Sequence, residues 1–296
     1  MRNVNQRKKK TRRIFAAATA VLLMISATAC SKGGSSSSSA SSKAKTTSSV
    51  TSQASSKAAS SPVSSSTGTP PAKTLSKANA SAAPLILPTK TSDGKVLLNV
   101  KNVQQTEKFR AGCEITAGTI ALNYLGVKAS KEDLLKVLPQ SNQFTTKSGK
   151  LYGPNPWHAF VGNPLTEKYG CYAPVLSYTI NKYLATAGGK NAKHHASELT
   201  GAPMEALYAN IDSGTPVVVW VTTDMKEPGL GDGWYLEDTG AYYQWITGEH
   251  CMVLVGYDKQ NAIFCDPLNS NNTVSYSKDV FAERYRSLFS QAVGVK

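Results

Sequence analysis

Cys113 is the residue whose surroundings in the sequence point most directly to chemistry. It stands in the segment Gly112-Cys113-Glu114, ahead of a pattern in which apolar side chains recur every three or four residues as far as Leu125. That period predicts a helix that begins at or beside Cys113 and ends before Gly126. A thiol at a helix N-terminus is unusually acidic, because free N–H groups and the helix dipole stabilise the thiolate. The local pattern alone nevertheless favours a buried structural cysteine, so a nucleophile needs support from elsewhere in the chain.

A histidine and a carboxylate far downstream supply the partners that a nucleophilic thiol needs. Apolar runs on both sides of Asp258 predict two strands joined by a hairpin. An antiparallel register centred on that residue places His250 opposite Asp266. In such a pair the carboxylate holds the imidazole in one tautomer, as a general base requires.

The other cysteines favour thiol chemistry over a structural metal site. No two of the four downstream cysteines have C-x-x-C spacing, so a zinc site is not expected; they are Cys113, Cys171, Cys251 and Cys265. The hairpin register sets Cys251 opposite Cys265 on the other face of the sheet. Two alternatives stay open for that pair, a cross-strand disulfide or two buried free thiols.

Several motifs, taken together, resemble a known family. They are the segments VKNVQQ (100–105), GCEIT (112–116), ALNYLG (121–126), YGPNPW (152–157) and PVVVWV (216–221), with the strands that carry His250 and Asp266. The sequence resembles the papain-like cysteine peptidases of family thirty-nine, the bacteriocin-leader-processing type, over most of residues 96–290. The separation of Cys113 from His250 also falls within the roughly 130–150 residues typical of papain-type enzymes.

The resemblance implies a role for each of four residues. Cys113 would be the nucleophile, His250 the general base and acid, and Asp266 the carboxylate that orients the histidine. Gln105, eight residues before the cysteine, would donate from its side chain to the oxyanion hole, with Gln104 as the less favoured candidate. Peptide or protein substrates are implied, and no metal or organic cofactor.

One motif of the name-giving processing peptidases is missing from this sequence. Those enzymes are fused to exporters, but the sequence contains no G-x-x-x-x-G-K-[ST] loop and no series of membrane spans. Leader cleavage during transport therefore does not follow from the resemblance.

The elements that must position these residues indicate an α+β fold. Helical patterns occupy about residues 113–125, 130–138, 175–187, 203–213 and 277–289, and strand patterns residues 96–100, 217–222, 250–257, 262–265 and 273–276. Helices followed mostly by strands predict α+β. The resemblance makes it papain-like, with a helical lobe that carries the cysteine at a helix N-terminus, packed on an antiparallel sheet that carries the histidine and the aspartate.

Three further interpretations concern segments around the expected cleft. Residues 139–175 are rich in Gly and Pro and are interpreted as loops. The stretch from Gly229 to Gly240 is interpreted as a mobile flap over the cleft. Glu114 is interpreted as a partner of the helix dipole rather than an acid catalyst.

The charge distribution excludes nucleic acid as a partner of the folded part. The 296 residues carry a net charge of +14, but residues 1–83 hold 13 basic and no acidic residues, whereas residues 84–296 hold 20 basic and 19 acidic ones. The excess therefore belongs to the N-terminal segments. The balanced remainder is long enough for one catalytic domain, which we expect over residues 84–296.

The N-terminal segments predict export and a membrane tether. Residues 1–30 read as a lipoprotein signal peptide, in which a basic start and an apolar run lead to Ala27-Thr28-Ala29-Cys30. Lipidation of Cys30 is expected, the alternatives being plain cleavage or a retained signal anchor. Residues 31–83 contain 20 serines in 53 residues and read as a disordered tether. The expected location is the extracytoplasmic face of the bacterial cell membrane.

These observations predict an extracytoplasmic cysteine peptidase that uses Cys113, His250 and Asp266 with Gln105 as oxyanion donor. Two alternatives remain open. One is an amidase or endopeptidase that acts on cell-wall peptides, and the other is a catalytically silent module of the same fold that binds peptides or wall fragments.

Overall fold

The computed structural model describes residues 87–166 and 168–296 and shows the α+β fold that the sequence predicts. The expected signal peptide (1–30), the expected tether (31–83) and Cys30 lie outside the described residues, as do the first three residues of the expected domain (84–296). Within the described part, no helix is long and apolar enough to cross a membrane.

The helices of the described residues lie close to their predicted positions. They are α1 (Cys113–Tyr124), α2 (Lys131–Val137), α3 (Ala173–Ala187), α4 (Met204–Asp212) and α5 (Lys278–Ser287). A capping box begins α2, since the Ser130 side chain accepts a hydrogen bond from the Asp133 N–H and the Asp133 carboxylate accepts one from the Ser130 N–H. Helix α1 begins at Cys113 itself.

The strands of the described residues form one large sheet and two smaller ones. They are β1 (Thr89–Lys90), β2 (Val96–Leu97), β3 (Gln140–Ser141), β4 (Thr145–Lys147), β5 (Lys150–Gly153), β6 (Phe160–Val161), β7 (Ala196–Glu198), β8 (Val217–Thr222), β9 (Gly229–Leu236), β10 (Tyr242–Thr247), β11 (Glu249–Tyr257), β12 (Asn261–Cys265), β13 (Val274–Ser277) and β14 (Ala292–Val295). The large sheet has the order β1-β2-β11-β8-β14-β7, with β12 paired to β11 and β13 to β12.

Strands β8 and β11 form the centre of the large sheet and support the candidate site residues. Strand β8 is buried at every position, as its continuous apolar run predicts, and it pairs antiparallel with β11. Helix α1 packs against both strands and is itself buried from Cys113 to Leu122. The helix that begins at the thiol is therefore anchored on the strand that carries the histidine.

The register predicted for the β11–β12 hairpin is wrong. Val253, not Cys251, lies opposite Cys265, and the register shifts again between Leu254 and Gly256. The reason lies in the turn: the Asp258 carboxylate accepts hydrogen bonds from two N–H groups that follow it, which makes a wider turn than one centred on Asp258. The four downstream cysteines are free thiols, so the cross-strand disulfide left open by the sequence is not formed.

The segments interpreted as loops and as a mobile flap form a second sheet. Its order is β10-β9-β5-β4, so the Gly229–Gly240 stretch forms strand β9 and part of the turn to β10, and its interpretation as a mobile flap stays a prediction. Side chains on the inward face of β9 and β10 alternate with exposed ones, and Trp234, Tyr243 and Trp245 are buried. Trp234 packs edge-on to Tyr243, and the Trp234 indole N–H donates to the Pro154 carbonyl at 2.8 Å. This aromatic packing joins β9 to β10 and holds the hairpin against the segment that contains Pro154.

Candidate active site

The thiol of Cys113 is held at the first position of α1 by a tight turn. A short 3-10 helix (Glu107–Phe109) precedes it, and Gly112 forms the N-cap. A Cβ at Gly112 would lie 2.9 Å from the Cβ of Phe109, so only glycine fits this approach of two chain segments. The Gly112 carbonyl accepts from both the N–H and the hydroxyl of Thr116, which fixes the first turn.

His250 and Asp266 form a buried hydrogen-bonded pair at the start of β11. The imidazole Nε2 lies 2.7 Å from the Asp266 Oδ1, and the two side chains are 2% and 5% exposed. Asp266 follows directly after β12, and its carboxylate also accepts from the Leu268 N–H. The sequence thus predicted the partners correctly although the register behind the prediction was wrong.

Protonation in this pair favours a charged imidazole. Burial lowers the pKa of His250, but hydrogen bonds to Asp266 and Cys113 together with their charges raise it to about 9. Burial likewise raises the pKa of Asp266, yet the hydrogen bond and charge of His250 leave it below its ordinary value. Because Nε2 is bound to Asp266, Nδ1 is the nitrogen available to the thiol.

The Cys113 thiol is acidic in this environment. Its pKa lies well below the ordinary value, because the Cys251 side chain donates a hydrogen bond to the thiolate and because His250 adds a hydrogen bond and a positive charge, against the cost of burial. A lowered thiol pKa and a raised imidazole pKa describe a thiolate and an imidazolium side by side. Such a pair provides a nucleophile and a proton donor for acyl transfer.

The side chain of Gln105 lies in the same cleft and is held by the backbone. Its Nε2 donates to the Arg110 carbonyl at 2.8 Å, and its own N–H donates to the Pro267 carbonyl at 2.8 Å. An amide nitrogen carries two hydrogens, so one remains for a ligand. Gln104, by contrast, is exposed and donates from its side chain to the Asn269 carbonyl. The preference for Gln105 over Gln104 agrees with this geometry.

A cleft of about 220 Å³ opens over the thiol. It brings together three of the four expected site residues, and Asp266 lies behind His250. The cleft is lined by Gln105, Arg110, Ala111, Cys113, Tyr169, Thr223, Trp245, Gly248, Glu249, His250 and Leu268. Tyr169 and Trp245 form one wall, with ring centroids 5.5 Å apart. The cleft therefore offers both polar groups and an apolar wall to an extended ligand.

Sequence reasoning missed two carboxyl groups beside the thiol. Glu114, interpreted as a dipole partner, is fully buried: one of its oxygens accepts from the Cys171 N–H at 2.7 Å, and the other lies 3.3 Å from the Cys113 sulfur. Gly170 makes room for this carboxyl, since a Cβ there would collide with it. Glu249 has one buried carboxyl oxygen without a hydrogen-bond partner.

Both carboxyls are displaced toward the neutral form. Burial, followed by the charges of Cys113 and Glu249, raises the pKa of Glu114 well above its ordinary value. Burial and the charge of Cys113 do the same for the pKa of Glu249. A neutral Glu114 is not an ionic partner of the helix dipole, which corrects the sequence interpretation. The one available signal was that each glutamate is a chain neighbour of a candidate catalytic residue.

One group of side chains in the described residues has the spacing of metal ligands. Cys113, Glu249 and Cys251 place their ligand atoms within 4.8 Å of one another. C-x-x-C spacing gives no sign of this group, because α1 and β11 bring its members together from distant parts of the chain. The group includes the thiol of the cleft itself.

Comparison with known proteins places the chain in a family of peptidase folds. The sequence profile of the Peptidase_C39 like family matches residues 97–293, and the chain belongs to this family. A solved structure from Bacillus anthracis, assigned as a C39-like peptidase, is similar with a TM-score of 0.59 and 28% identity, covering 68% of this chain and 97% of that one. The uncharacterized protein YvpB of Bacillus subtilis (strain 168) is 26% identical over 196 residues, or 66% of this chain and 73% of its own.

Proposed function

We propose that this protein is a cysteine peptidase that hydrolyses peptide bonds with Cys113, His250 and Asp266. The observation that carries the proposal is the buried 2.7 Å contact between His250 and Asp266 beside a thiol of lowered pKa. Family membership supports the reaction class, and the accessible cleft supports a substrate at the thiol.

The reaction begins with attack of the Cys113 thiolate on the carbonyl carbon of a peptide bond. The backbone N–H of Cys113 and the free amide hydrogen of Gln105 donate to the developing oxyanion. Imidazolium His250 then protonates the departing amine, which leaves a thioester on Cys113. Water, deprotonated by the now neutral imidazole, hydrolyses the thioester and restores the thiolate.

Each supporting residue has a defined part in this cycle. Asp266 keeps Nε2 of His250 occupied, so that Nδ1 exchanges the proton with sulfur and substrate. The Arg110 carbonyl fixes the Gln105 amide, so that the donor is positioned before the oxyanion forms. No step in this sequence requires a metal or an organic cofactor.

The proposal is tested with the full-length protein against a peptide library. We expect cleavage products in the wild type and in Cys265→Ser, which removes a thiol away from the cleft, and none in Cys113→Ala. We also expect iodoacetamide to label Cys113 stoichiometrically at neutral pH. Uncleaved peptides, together with labelling that does not respond to His250→Ala, would show a silent binding module instead.

Purified peptidoglycan in the same assay identifies the substrate class. The Ser-rich segment 31–83 and the possible anchor at Cys30 would hold the enzyme within reach of the cell wall, which favours wall peptides as an alternative substrate. Release of peptides from peptidoglycan, without cleavage of the library, would establish the amidase or endopeptidase reading.

The proposed location is the extracytoplasmic face of the cell membrane, with a lipid on Cys30. The mass of the mature N-terminus tests it. A diacylglyceryl modification on Cys30 and a precursor that accumulates with globomycin are expected. An unmodified N-terminus beyond Cys30 would mean plain cleavage, and an intact N-terminus would mean a retained signal anchor.

A further inference from the structure

A second thiol stands directly beside the thiol of the cleft. Cys251 follows His250 in β11 and is fully buried, and its sulfur lies within 4.8 Å of the Cys113 sulfur. The Cys251 side chain and its backbone N–H both hydrogen-bond the Cys113 sulfur. Both contacts favour the thiolate, but the proposed reaction gives Cys251 no bond to make or break, since a single sulfur acts in it.

We propose that Cys251 is a resolving thiol, which joins Cys113 in a reversible disulfide when a peroxide oxidises the cleft. The bond between the two sulfurs is independent of the proposed function. Its consequence, a reversible loss of peptidase activity, rests on the proposed function, because the nucleophile would be consumed in the bond.

The chemistry balances with hydrogen peroxide as the oxidant. The Cys113 thiolate attacks one peroxide oxygen, the O–O bond breaks and, with one proton taken up, water leaves; sulfur is oxidised to sulfenic acid and peroxide is reduced. The Cys251 sulfur then attacks the Cys113 sulfur and loses its proton, the S–O bond breaks and a second water leaves. Two thiols and one peroxide thus give one disulfide and two waters.

The Cys113 and Cys251 thiols differ in pKa, as this order of oxidation steps requires. The pKa of Cys113 is lowered, chiefly by the hydrogen bond from Cys251, so its thiolate reacts with the peroxide first. Burial raises the pKa of Cys251, which therefore stays protonated until the sulfenic acid forms next to it. Cys113 is 7% exposed and lines the cleft, so a small peroxide reaches it.

The other buried thiols are less suitable partners. Cys171 does not belong to the three side chains whose ligand atoms lie within 4.8 Å of one another, and the carboxyl of Glu114 contacts both the Cys171 N–H and the Cys113 sulfur. Cys265 lies opposite Val253, with its sulfur 4.0 Å from the Val100 carbonyl oxygen. Rotation of the Cys113 and Cys251 side chains must still close their gap to about 2.05 Å.

Peptide mapping of the full-length protein tests the bond directly. The protein is fully reduced, treated with hydrogen peroxide, alkylated and digested without a reductant. We expect one cross-linked peptide that joins Cys113 to Cys251, a loss of iodoacetamide labelling at Cys113, and full return of labelling after dithiothreitol. Cys265→Ser is the matched control, in which the same cross-link is expected.

Removal of the resolving thiol gives the second measurement. In Cys251→Ser we expect peroxide to leave a dimedone-reactive sulfenic acid on Cys113, followed by oxidation that dithiothreitol does not reverse. Dimedone trapping of Cys113 in the wild type without a cross-link, or a cross-link from Cys113 to Cys171, would overturn the proposal. A reduced wild type that cleaves no substrate but still forms the cross-link would refute only the peptidase function.

Discussion

The two sides of the Cys113 thiol affect its ionisation in opposite directions. On one side, His250 and Asp266 form a buried ion pair whose hydrogen bond and charge favour the thiolate. On the other side lie the carboxyls of the buried Glu114 and the half-buried Glu249, whose pKa values are raised, in part by the charge of the thiolate itself. The thiolate is therefore compatible with these carboxyls only while they hold their protons, and the hydrogen bond from Cys251 together with the imidazole side must outweigh the carboxyls and the cost of burial.

Removal of the imidazole should give the largest effect in this comparison. His250→Ala leaves the thiol without its cationic partner, so we expect the rate of peptide cleavage to fall by about 10⁶, as for a catalytic histidine in other triads. Iodoacetamide labelling of Cys113 at pH 7 should fall with it, because the pKa of the thiol rises. The measurement is kcat/KM alongside the labelling rate.

An exposed histidine provides the control for that substitution. His158 has a side chain 67% exposed, paired with Asp238, and His158→Ala should leave both rates at the wild-type level. Full labelling of Cys113 in His250→Ala would mean that the helix terminus and Cys251 alone stabilise the thiolate, and that the imidazole is not required for it.

Substitution of Asp266 should weaken the same side without removing the base. Asp266→Asn keeps the shape but loses the charge that holds imidazolium His250, and we expect a loss of up to about 10⁴ in kcat. Activity of the wild type should decline as the pH rises through about 9, where His250 loses its proton. In Asp266→Asn the pKa of His250 is lower, so this decline should begin at lower pH.

The pH profile distinguishes that role from a merely structural one. Asp279→Asn, a change at an exposed carboxylate in the first turn of α5, should leave the alkaline limb unmoved. An Asp266→Asn variant that loses activity while its alkaline limb stays at the wild-type pH would indicate a folding defect rather than loss of the charge.

The proposed oxyanion donor, Gln105, is attached to the His250–Asp266 side of the cleft. The Gln105 N–H is bonded to the carbonyl of Pro267, the neighbour of Asp266. Gln105→Ala should reduce kcat by about 10²–10³, the usual cost of one donor, with little change in labelling of Cys113 because the thiolate is untouched. Gln104→Ala is the matched control, since that side chain is exposed, and equal losses in both variants would contradict the assignment.

What the sequence could predict differs between these two sides for a physical reason. Cys113 and Gly112 belong to a helix start, and His250 and Asp266 flank apolar strand runs, so local patterns marked them as candidates, and the family resemblance supplied their roles. The proximity of Glu114 to Glu249 depends on how α1 packs against β11, and this packing is a tertiary property. Local patterns likewise failed to give the register, which a bulge and the Asp258 turn decide, although the partners of His250 were right.

The second sheet is another part of the fold that depends on tertiary contacts and that local sequence patterns did not predict. The glycines of the Gly229–Gly240 stretch gave no sign of a strand, yet β9 forms there, and Trp234, Tyr243 and Trp245 pack together across β9 and β10 and with Tyr172. Tertiary contacts between aromatic rings overrode a local composition typical of loops. Strand β14 was missed because four apolar residues near the end of the sequence give too short a pattern to assign.

The smallest expected effect comes from substitution of Glu249, and it is read from the direction in which the pH dependence of Cys113 labelling moves. Since the charge of Cys113 raises the pKa of Glu249, an ionised Glu249 must in turn oppose the thiolate. Glu249→Gln removes the repulsion exerted by the ionised fraction of Glu249, so the acidic limb of iodoacetamide labelling should move to lower pH, with a change in rate at pH 7 below about tenfold. Glu205→Gln, at an exposed position of α4, should leave the limb in place. A shift to higher pH would mean that a protonated Glu249 donates a hydrogen bond to the thiolate, and the two sides would then act together rather than in opposition.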